Sequence, residues 1–326
     1  MKIAIVNLLV CFCISVIVAP FVIKQLYKLK FGQNILSYVE KHKQKSGTAT
    51  MGGLIFIASA FVGYFLFISK DNILATISML SLLFFGILGF LDDFIKIKYK
   101  QNEGLKPYQK IIGQFGIAII ISIFIYKSDL VGTSCYLPFT NNTIDLGFWI
   151  IPFVIFVYLA IVNSVNLIDG LDGLCASVSS VVIAIMSIVI LIVSSSFSGA
   201  YLNEINNLAI IAFGVVGAIL GFLCFNSYPA KVFMGDTGSL AIGGFLASLT
   251  AFTRNYFLVI IVGCMFVLTT LSVIIQVVYF KFTKKRIFKM SPLHHHFEQF
   301  THESKVVSVY LIVTIIVGLL TICLYL

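Results

Sequence analysis

Asp92 and Asp93 stand side by side at the end of an apolar run, in Gly89-Phe90-Leu91-Asp92-Asp93-Phe94-Ile95-Lys96. Adjacent carboxylates of this kind can hold a divalent cation such as Mg²⁺ or take a proton. Neighbouring side chains point about 100° apart on a helix, so one aspartate can face a bundle while the other turns aside. A plain helix end meeting water is the competing reading, but a helix C-terminus favours cations over two anions. Lys96, Lys98, Lys100, Lys106 and Lys110 follow the pair.

Four further segments carry related chemistry. In Asn163-Ser164-Val165-Asn166-Leu167-Ile168-Asp169-Gly170-Leu171-Asp172-Gly173-Leu174, three polar residues, Asn166, Asp169 and Asp172, are spaced by three. A helical turn would align them on one face, whereas Gly170 and Gly173 permit broken geometry, tolerated at membrane depth where it lines a cavity. In Asn226-Ser227-Tyr228-Pro229-Ala230-Lys231-Val232-Phe233-Met234-Gly235-Asp236-Thr237-Gly238-Ser239, Asp236 opens an apolar run. It can serve there as an N-cap or as a metal ligand, and Phe233 offers a face for stacking. The stretch from His42 through Lys45, Gly47, Thr48, Thr50 and Met51 to Gly52-Gly53 brings glycines, threonines and a lysine to a helix start. Such a start can hold phosphate, or simply allow close helix packing. Last, Lys284-Lys285-Arg286-Ile287-Phe288-Lys289-Met290-Ser291-Pro292-Leu293-His294-His295-His296-Phe297-Glu298 has three consecutive histidines. Their spacing is not that of a helical zinc site. Beside so many cations they suit sugar and phosphate oxygens, and the same stretch reads as an amphipathic interfacial segment.

The elements that must position these groups are membrane helices. The 326 residues are 60% hydrophobic and only 11% charged, with a mean hydropathy of +1.06. An ordinary soluble domain is roughly 25% charged, so a soluble globular protein is excluded. Ten apolar runs fall at 3–23, 52–69, 73–91, 112–126, 147–164, 175–195, 207–225, 237–253, 256–280 and 306–326, near the ~20 residues a helix needs to cross a bilayer. The expectation is an all-α polytopic protein of ten transmembrane helices, one integral membrane domain over residues 1–326. No short alternating segments suggest a β-barrel. The first run is too long for a cleaved leader and no small-x-small site follows it. The seven cysteines include no C-x-x-C, so neither disulfides nor a thiolate metal site is expected.

Charge gives the orientation. Eighteen of the 22 Lys and Arg residues fall in one set of connections, between runs one and two, three and four, seven and eight, and nine and ten. That side is cytoplasmic by the positive-inside rule, which puts both termini outside. The net charge of +9 therefore reflects topology and the bilayer surface, not nucleic acid. Nine of the 13 acidic residues and all five histidines lie on the same side. No topological rule requires that, so it indicates one polar site at the cytoplasmic face, where a lipid and a soluble phosphorylated substrate can meet around a divalent cation.

Together, in this order, the five segments resemble the phospho-N-acetylmuramoyl-pentapeptide transferases (translocase I), a branch of the polyprenyl-phosphate N-acetylhexosamine-1-phosphate transferase superfamily. The resemblance runs from about His42 to Glu298. The family's K-x-G-T-P-T-M-G-G is matched from Lys45 to Gly53, with Ala49 in place of the proline. It implies transfer of phospho-MurNAc-pentapeptide from UDP-MurNAc-pentapeptide to undecaprenyl phosphate in a bacterial cell membrane, giving lipid I and UMP with Mg²⁺, and it implies a homodimer. By the same resemblance, Asp236 is the magnesium ligand, and Asp92 and Asp93 are the pair assigned a base or nucleophile role. Asn166, Asp169, Gly170, Leu171 and Asp172 match the nucleoside side, with Phe233 as a uracil platform. Lys45, Thr50 and Asn226 match polar pocket positions, and Lys96 and Lys110 match phosphate-steadying ones. His294, His295 and His296 match the branch's histidine motif, with His295 expected among the catalytic groups. Direct attack by the lipid phosphate and a covalent aspartyl-phosphate route both stay open.

Two alternatives have distinguishing features. A sister enzyme acting on UDP-GlcNAc would share the aspartates but lack the Pro292–Glu298 motif. A secondary transporter would place its acids near mid-membrane instead of at one face.

Overall fold

The computed structural model of the chain describes residues 1–29, 47–68, 71–99, 104–140, 142–194 and 198–326. Among these are twelve α-helices: α1 Lys2–Lys28, α2 Gly53–Phe67, α3 Ile73–Lys98, α4 Pro107–Lys127, α5 Ile150–Ile168, α6 Leu174–Val193, α7 Gly199–Asn226, α8 Gly235–Phe252, α9 Leu258–Val262, α10 Cys264–Thr283, α11 Leu293–Glu298 and α12 Glu303–Tyr325. Among the described residues each apolar run is largely helical, as a lipid environment requires, because a helix satisfies its own backbone polar groups. Eight helices are long and apolar enough to cross a membrane: α1, α3, α4, α5 with the 3₁₀ turn before it, α6, α7, α10 and α12. The protein is an all-α polytopic membrane protein.

The two remaining runs differ for physical reasons. α2 is apolar but has only 15 residues. α8 is rich in glycine, serine and threonine, and every residue from Thr237 to Phe252 is buried. It packs against α3, α5 and α2, so its surface meets protein and not lipid. Its small residues allow that closeness. A Cβ on Gly243 would lie 2.7 Å from the Cα of Val162 on α5, and one on Gly244 would lie 2.7 Å from the Phe85 ring on α3. Ser81 on α3 donates to the Gly244 carbonyl at 2.9 Å, and Tyr158 on α5 shares a 2.8 Å hydrogen bond with Ser248.

One expectation is corrected. The run at 256–280 is not one rod: the chain turns at Gly263, whose N–H donates to Val259 at 2.8 Å, and α10 starts from there. Beside the helices, one short antiparallel hairpin pairs β1 Ser134–Tyr136 with β2 Thr143–Asp145. It is tied to the C-terminal end of α8 by Tyr136 N–H donating to Arg254 O at 3.0 Å.

The bundle has two dissimilar ends. At the hairpin end, Phe139 meets Tyr325 of α12 with ring centroids 5.4 Å apart. Asn7 of α1 donates to Ile210 O in the first half of α7 at 3.0 Å, while Tyr27, at the other end of α1, donates to Lys231 O, beyond the end of α7, at 3.2 Å. Both described termini therefore lie at the hairpin end, away from the N-terminus of α8. The hairpin end also holds the start of α3. Asn72 caps it by accepting from Ala75 N–H at 3.1 Å, and the buried carboxylate of Glu204 on α7 accepts from Ile73 N–H at 3.1 Å and Leu74 N–H at 2.8 Å. Three of the first N–H groups of α3 are thus satisfied without solvent. Replacing Glu204 with alanine orphans two of them, and a loss of about 2 kcal/mol should show as a lower melting temperature of the purified protein in detergent.

Candidate active site

The far end of α3 carries Asp92 and Asp93, both buried. The N-terminus of α8 carries Asp236. One oxygen of each carboxylate lies within 4.8 Å of the others. What brings the two helices together is Gly89, where a Cβ would sit 2.6 Å from Thr237 N. Asp93 then closes the contact as a cap supplied from another helix. Its Oδ1 accepts from Asp236 N–H at 3.2 Å, and its Oδ2 accepts from Thr237 N–H at 2.9 Å and from the Thr237 hydroxyl at 2.7 Å. These are the N–H groups a helix start leaves unmade.

Asp92, rotated away from that contact, faces the polar cluster. Its Oδ1 accepts from Leu105 N–H at 2.8 Å. Its buried Oδ2 has no aligned hydrogen-bond donor, although Lys96 Nζ lies 2.6 Å from it and Lys110 Nζ 3.1 Å. Both ammonium groups also reach Asp236 Oδ2, Lys96 at 2.9 Å and Lys110 at 2.6 Å. Asn166 donates to Asp236 Oδ1 at 2.8 Å and to Ser239 Oγ at 2.9 Å. Three carboxylates face two lysines here, an excess of one acid by formal charge. Hard oxygen donors with a buried, unaligned oxygen among them suit a divalent cation of the Mg²⁺ type.

The glycine-threonine segment joins this cluster through its backbone. Ala49 and Val232 form a parallel bridge; Phe233 N–H donates to Ala49 O at 2.8 Å, Gly52 N–H to Phe233 O at 2.9 Å and Gly53 N–H to Met234 O at 3.0 Å. Gly235, at φ +72°, makes the turn into α8. A Cβ there would lie 2.8 Å from Thr50 Oγ1 and 2.5 Å from Asp93 Oδ2. Thr50 is thereby buried beside the acids, and Phe233 is half-buried. Asn226 is engaged elsewhere: its amide donates to Val232 O at 2.9 Å and holds the 226–232 loop closed. Lys45 lies outside the described residues.

The turn after α5 departs from a continuous helix. α5 ends at Ile168, Asp169 is its C-cap at ψ 62°, and Gly173 adopts φ +76°. Asn166, Asp169 and Asp172 therefore do not share one helical face. Asn166 reaches Asp236, whereas Asp172 Oδ2 accepts from Ala230 N–H at 3.0 Å, and Leu171 is buried within the turn. Burial, reinforced by the carboxylates of Asp236 and Asp93, holds Asp169 well above the ordinary carboxylate range.

Gly170 meets the histidines. A Cβ there would overlap His294 Nε2 and come within 2.9 Å of His295 Nε2. His294 is fully buried, and neither ring nitrogen has a hydrogen-bond partner. Burial, with the neighbouring His295 ring, pushes it down to about 3, so it is neutral. His296 turns the other way. Its Nδ1 accepts from Lys289 N–H at 3.2 Å, and its ring packs against Phe288, Phe297 and Phe300 at 5.7, 5.6 and 5.3 Å. The structure thus brings Asp92, Asp93, Asp236, Lys96, Lys110, Asn166 and Thr50 into one cluster and His294 and His295 onto the adjoining turn, while Asn226 and His296 close loops.

Residues that sequence reasoning passed over include Thr237, Ser239 and the Gly104-Leu105 pair. Thr237 sits directly after Asp236, where a hydroxyl in a helix's first turn is a readable signal. Leu105 acts through its N–H and leaves no side-chain signature; only Gly104 hints at it, since a Cβ there would meet the Asp92 carboxylate at 2.6 Å.

A polytopic helical bundle with an acidic cluster at one end defines a membrane-embedded enzyme class, and residues 73–254 match the family model for Glycosyl transferase family 4. The chain belongs to that family. It is 45% identical over 323 residues to the phospho-N-acetylmuramoyl-pentapeptide-transferase of Clostridium novyi, covering 98% of this chain and 96% of that one. It is 43% identical over 315 residues to the protein of the same name from Clostridium perfringens strain 13, covering 95% and 94%. The corresponding Clostridioides difficile protein is 42% identical over 316 residues, covering 96% and 95%. The family match contains all three clustered carboxylates but neither the 47–53 segment nor the histidines.

The two adjacent aspartates should be separable by stability. Asp93→Asn should lower the melting temperature by several degrees as about 1–2 kcal/mol of capping is lost, while Asp92→Asn, which caps no helix and keeps an oxygen for Leu105 N–H, should lower it less in the same thermal scan.

Proposed function

We propose that this chain transfers phospho-MurNAc-pentapeptide from UDP-MurNAc-pentapeptide to undecaprenyl phosphate, giving lipid I and UMP. The observation that carries the reading is the buried group of Asp92, Asp93 and Asp236 with Lys96 and Lys110 at one end of a membrane bundle. Phosphoryl transfer asks mainly for positioning and for neutralisation of phosphate charge. The near full-length likeness to enzymes bearing the transferase name agrees with it.

In this reading the cluster end faces the cytoplasm of a bacterial cell, where the nucleotide sugar is soluble, and both termini lie outside. The basic connections support that orientation. A lipid phosphate enters from the bilayer and meets the nucleotide at the cluster. Asp236, with Asp92 beside it, would hold Mg²⁺, since Asp93 is committed to the start of α8. When bound, the ion neutralises charge on the pyrophosphate oxygens.

The chain's own groups supply the rest. A lipid-phosphate oxygen attacks the β-phosphorus, the bond to the α-phosphate breaks, and UMP departs. Asp92 orients the attacking phosphate and accepts its proton where one is present; the Leu105 N–H keeps its carboxylate in place. Lys96 and Lys110 exchange carboxylate oxygens for phosphate oxygens, which their long, flexible stems allow. Thr50 lines the phosphate side, and Lys45 is assigned to it by the family motif alone; the 169–172 turn and Phe233 take the uridine, and His295, beside the buried His294, faces the sugar.

Mass spectrometry of purified enzyme with both substrates should show UMP and a lipid-linked muramoyl product when Mg²⁺ is present, and neither after chelation. UDP-GlcNAc should give no product, and Asp236→Asn should reduce turnover by at least about a hundredfold. Equal use of UDP-GlcNAc would move the chain to the sister reaction. Radiolabel flux into proteoliposomes without any product would indicate transport.

A further inference from the structure

The three histidines sit on a helix too short to hold itself rigid, and the structure shows what fixes one of them. α11 is tethered to α10 by Leu293 N–H donating to Ser272 Oγ at 3.0 Å. Within α11, His295 Nδ1 lies 2.9 Å from Glu298 Oε2, one turn away, and the two side chains are 17% and 7% exposed. The opposite nitrogen of the same ring, Nε2, points to Gly170 in the turn between α5 and α6. A carboxylate on one imidazole nitrogen holds the proton there, fixes the ring plane and directs the other nitrogen outward, as it does for metal-bound and catalytic histidines.

His294 lacks such a partner. Its Nε2 also faces Gly170, yet both of its nitrogens are buried and unbonded, and its ring lies 4.4 Å from that of His295. Of the two imidazoles presented to the turn, only His295 has a set tautomer and a set orientation. His296 is held by Lys289 and three phenylalanines on the other side of α11. The motif therefore divides among its members: His294 fills, His295 presents a polar atom and His296 anchors the loop.

We infer that Glu298 is a positioning residue that orients His295 toward the sugar-phosphate portion of the bound nucleotide, with Nδ1–H on the carboxylate and Nε2 facing substrate. The inference rests on the transferase reading, but it concerns a residue outside the acidic cluster. Glu298 itself touches neither substrate nor the reacting phosphates; it acts through the ring.

The test is a double-mutant cycle on purified, folded enzyme, using UDP-MurNAc-pentapeptide and undecaprenyl phosphate, with kcat and KM measured separately. Glu298→Met keeps volume and removes the acceptor; Glu298→Gln keeps an acceptor. Glu298→Met should lower kcat/KM about tenfold or more, and Glu298→Gln should restore much of that loss. In a His295→Gln background, Glu298→Met should cost less than about twofold, because the ring it served is gone. Selective ¹⁵N-histidine NMR should show the Nδ1–H form of His295 in wild type and its loss in Glu298→Met. Equal losses in both backgrounds, or an unchanged tautomer, would overturn the assignment. If Glu298→Met is not recovered folded, Glu298→Ala completes the cycle. Wild-type enzyme that makes no lipid-linked product would instead overturn the transferase reading itself, so the two failures are distinguishable.

Discussion

The site depends on a carboxylate of one helix capping the start of another. Asp93 on α3 accepts three hydrogen bonds from the first turn of α8. This contact satisfies backbone donors that have no other partner at that depth. It also sets the separation between Asp92, the next residue back, and Asp236, the residue being capped. Because the neighbours on α3 diverge by about 100°, a single pair of acids performs two tasks. One holds the architecture, and the other is left to do chemistry. The Ala49–Val232 bridge then brings the glycine-threonine segment onto the same junction.

Charge explains why so many groups crowd there. Three carboxylates in a poorly solvated place repel one another, and Lys96 and Lys110 bridge Asp92 and Asp236 to offset that repulsion. The lysines do not fully neutralise it. The cluster retains an appetite for cations, while its ammonium groups can turn toward anions. A phosphate-transfer centre needs this combination, since a metal-bound pyrophosphate brings both signs of charge with it. Burial beside the cluster, with the carboxylates of Asp236 and Asp93 nearby, holds Asp169 well above the ordinary carboxylate range.

The central position of α8 makes the arrangement rigid. A helix built from Gly235-Asp236-Thr237-Gly238-Ser239 and Gly243-Gly244 is poorly suited to lipid, but it fits among α2, α3 and α5 because its small residues allow near-contact of backbones. Its hydroxyls bond across to neighbouring helices or back to their own carbonyls. Packing of this density resists displacement, so the carboxylate at its N-terminus is placed by the core of the bundle and not by a loop.

The amino-acid sequence by itself determined that this chain crosses a membrane repeatedly as helices, because apolar length and backbone hydrogen bonding leave no other solution. It also pointed to Asp92, Asp93, Asp236, Lys96 and Lys110, since ionisable residues gathered on one side of a membrane chain have a cost that structure alone does not explain. Tertiary structure decided the division of labour. That Asp93 caps α8 while Asp92 faces the cluster, that Asn226 closes a loop, that Asp169 and Asp172 leave the face of Asn166, and that His295 alone among three identical neighbours is oriented by Glu298 all depend on which atoms come within about 3 Å of each other. Residue type and spacing state what a side chain can do; only the packed chain sets which partner it meets.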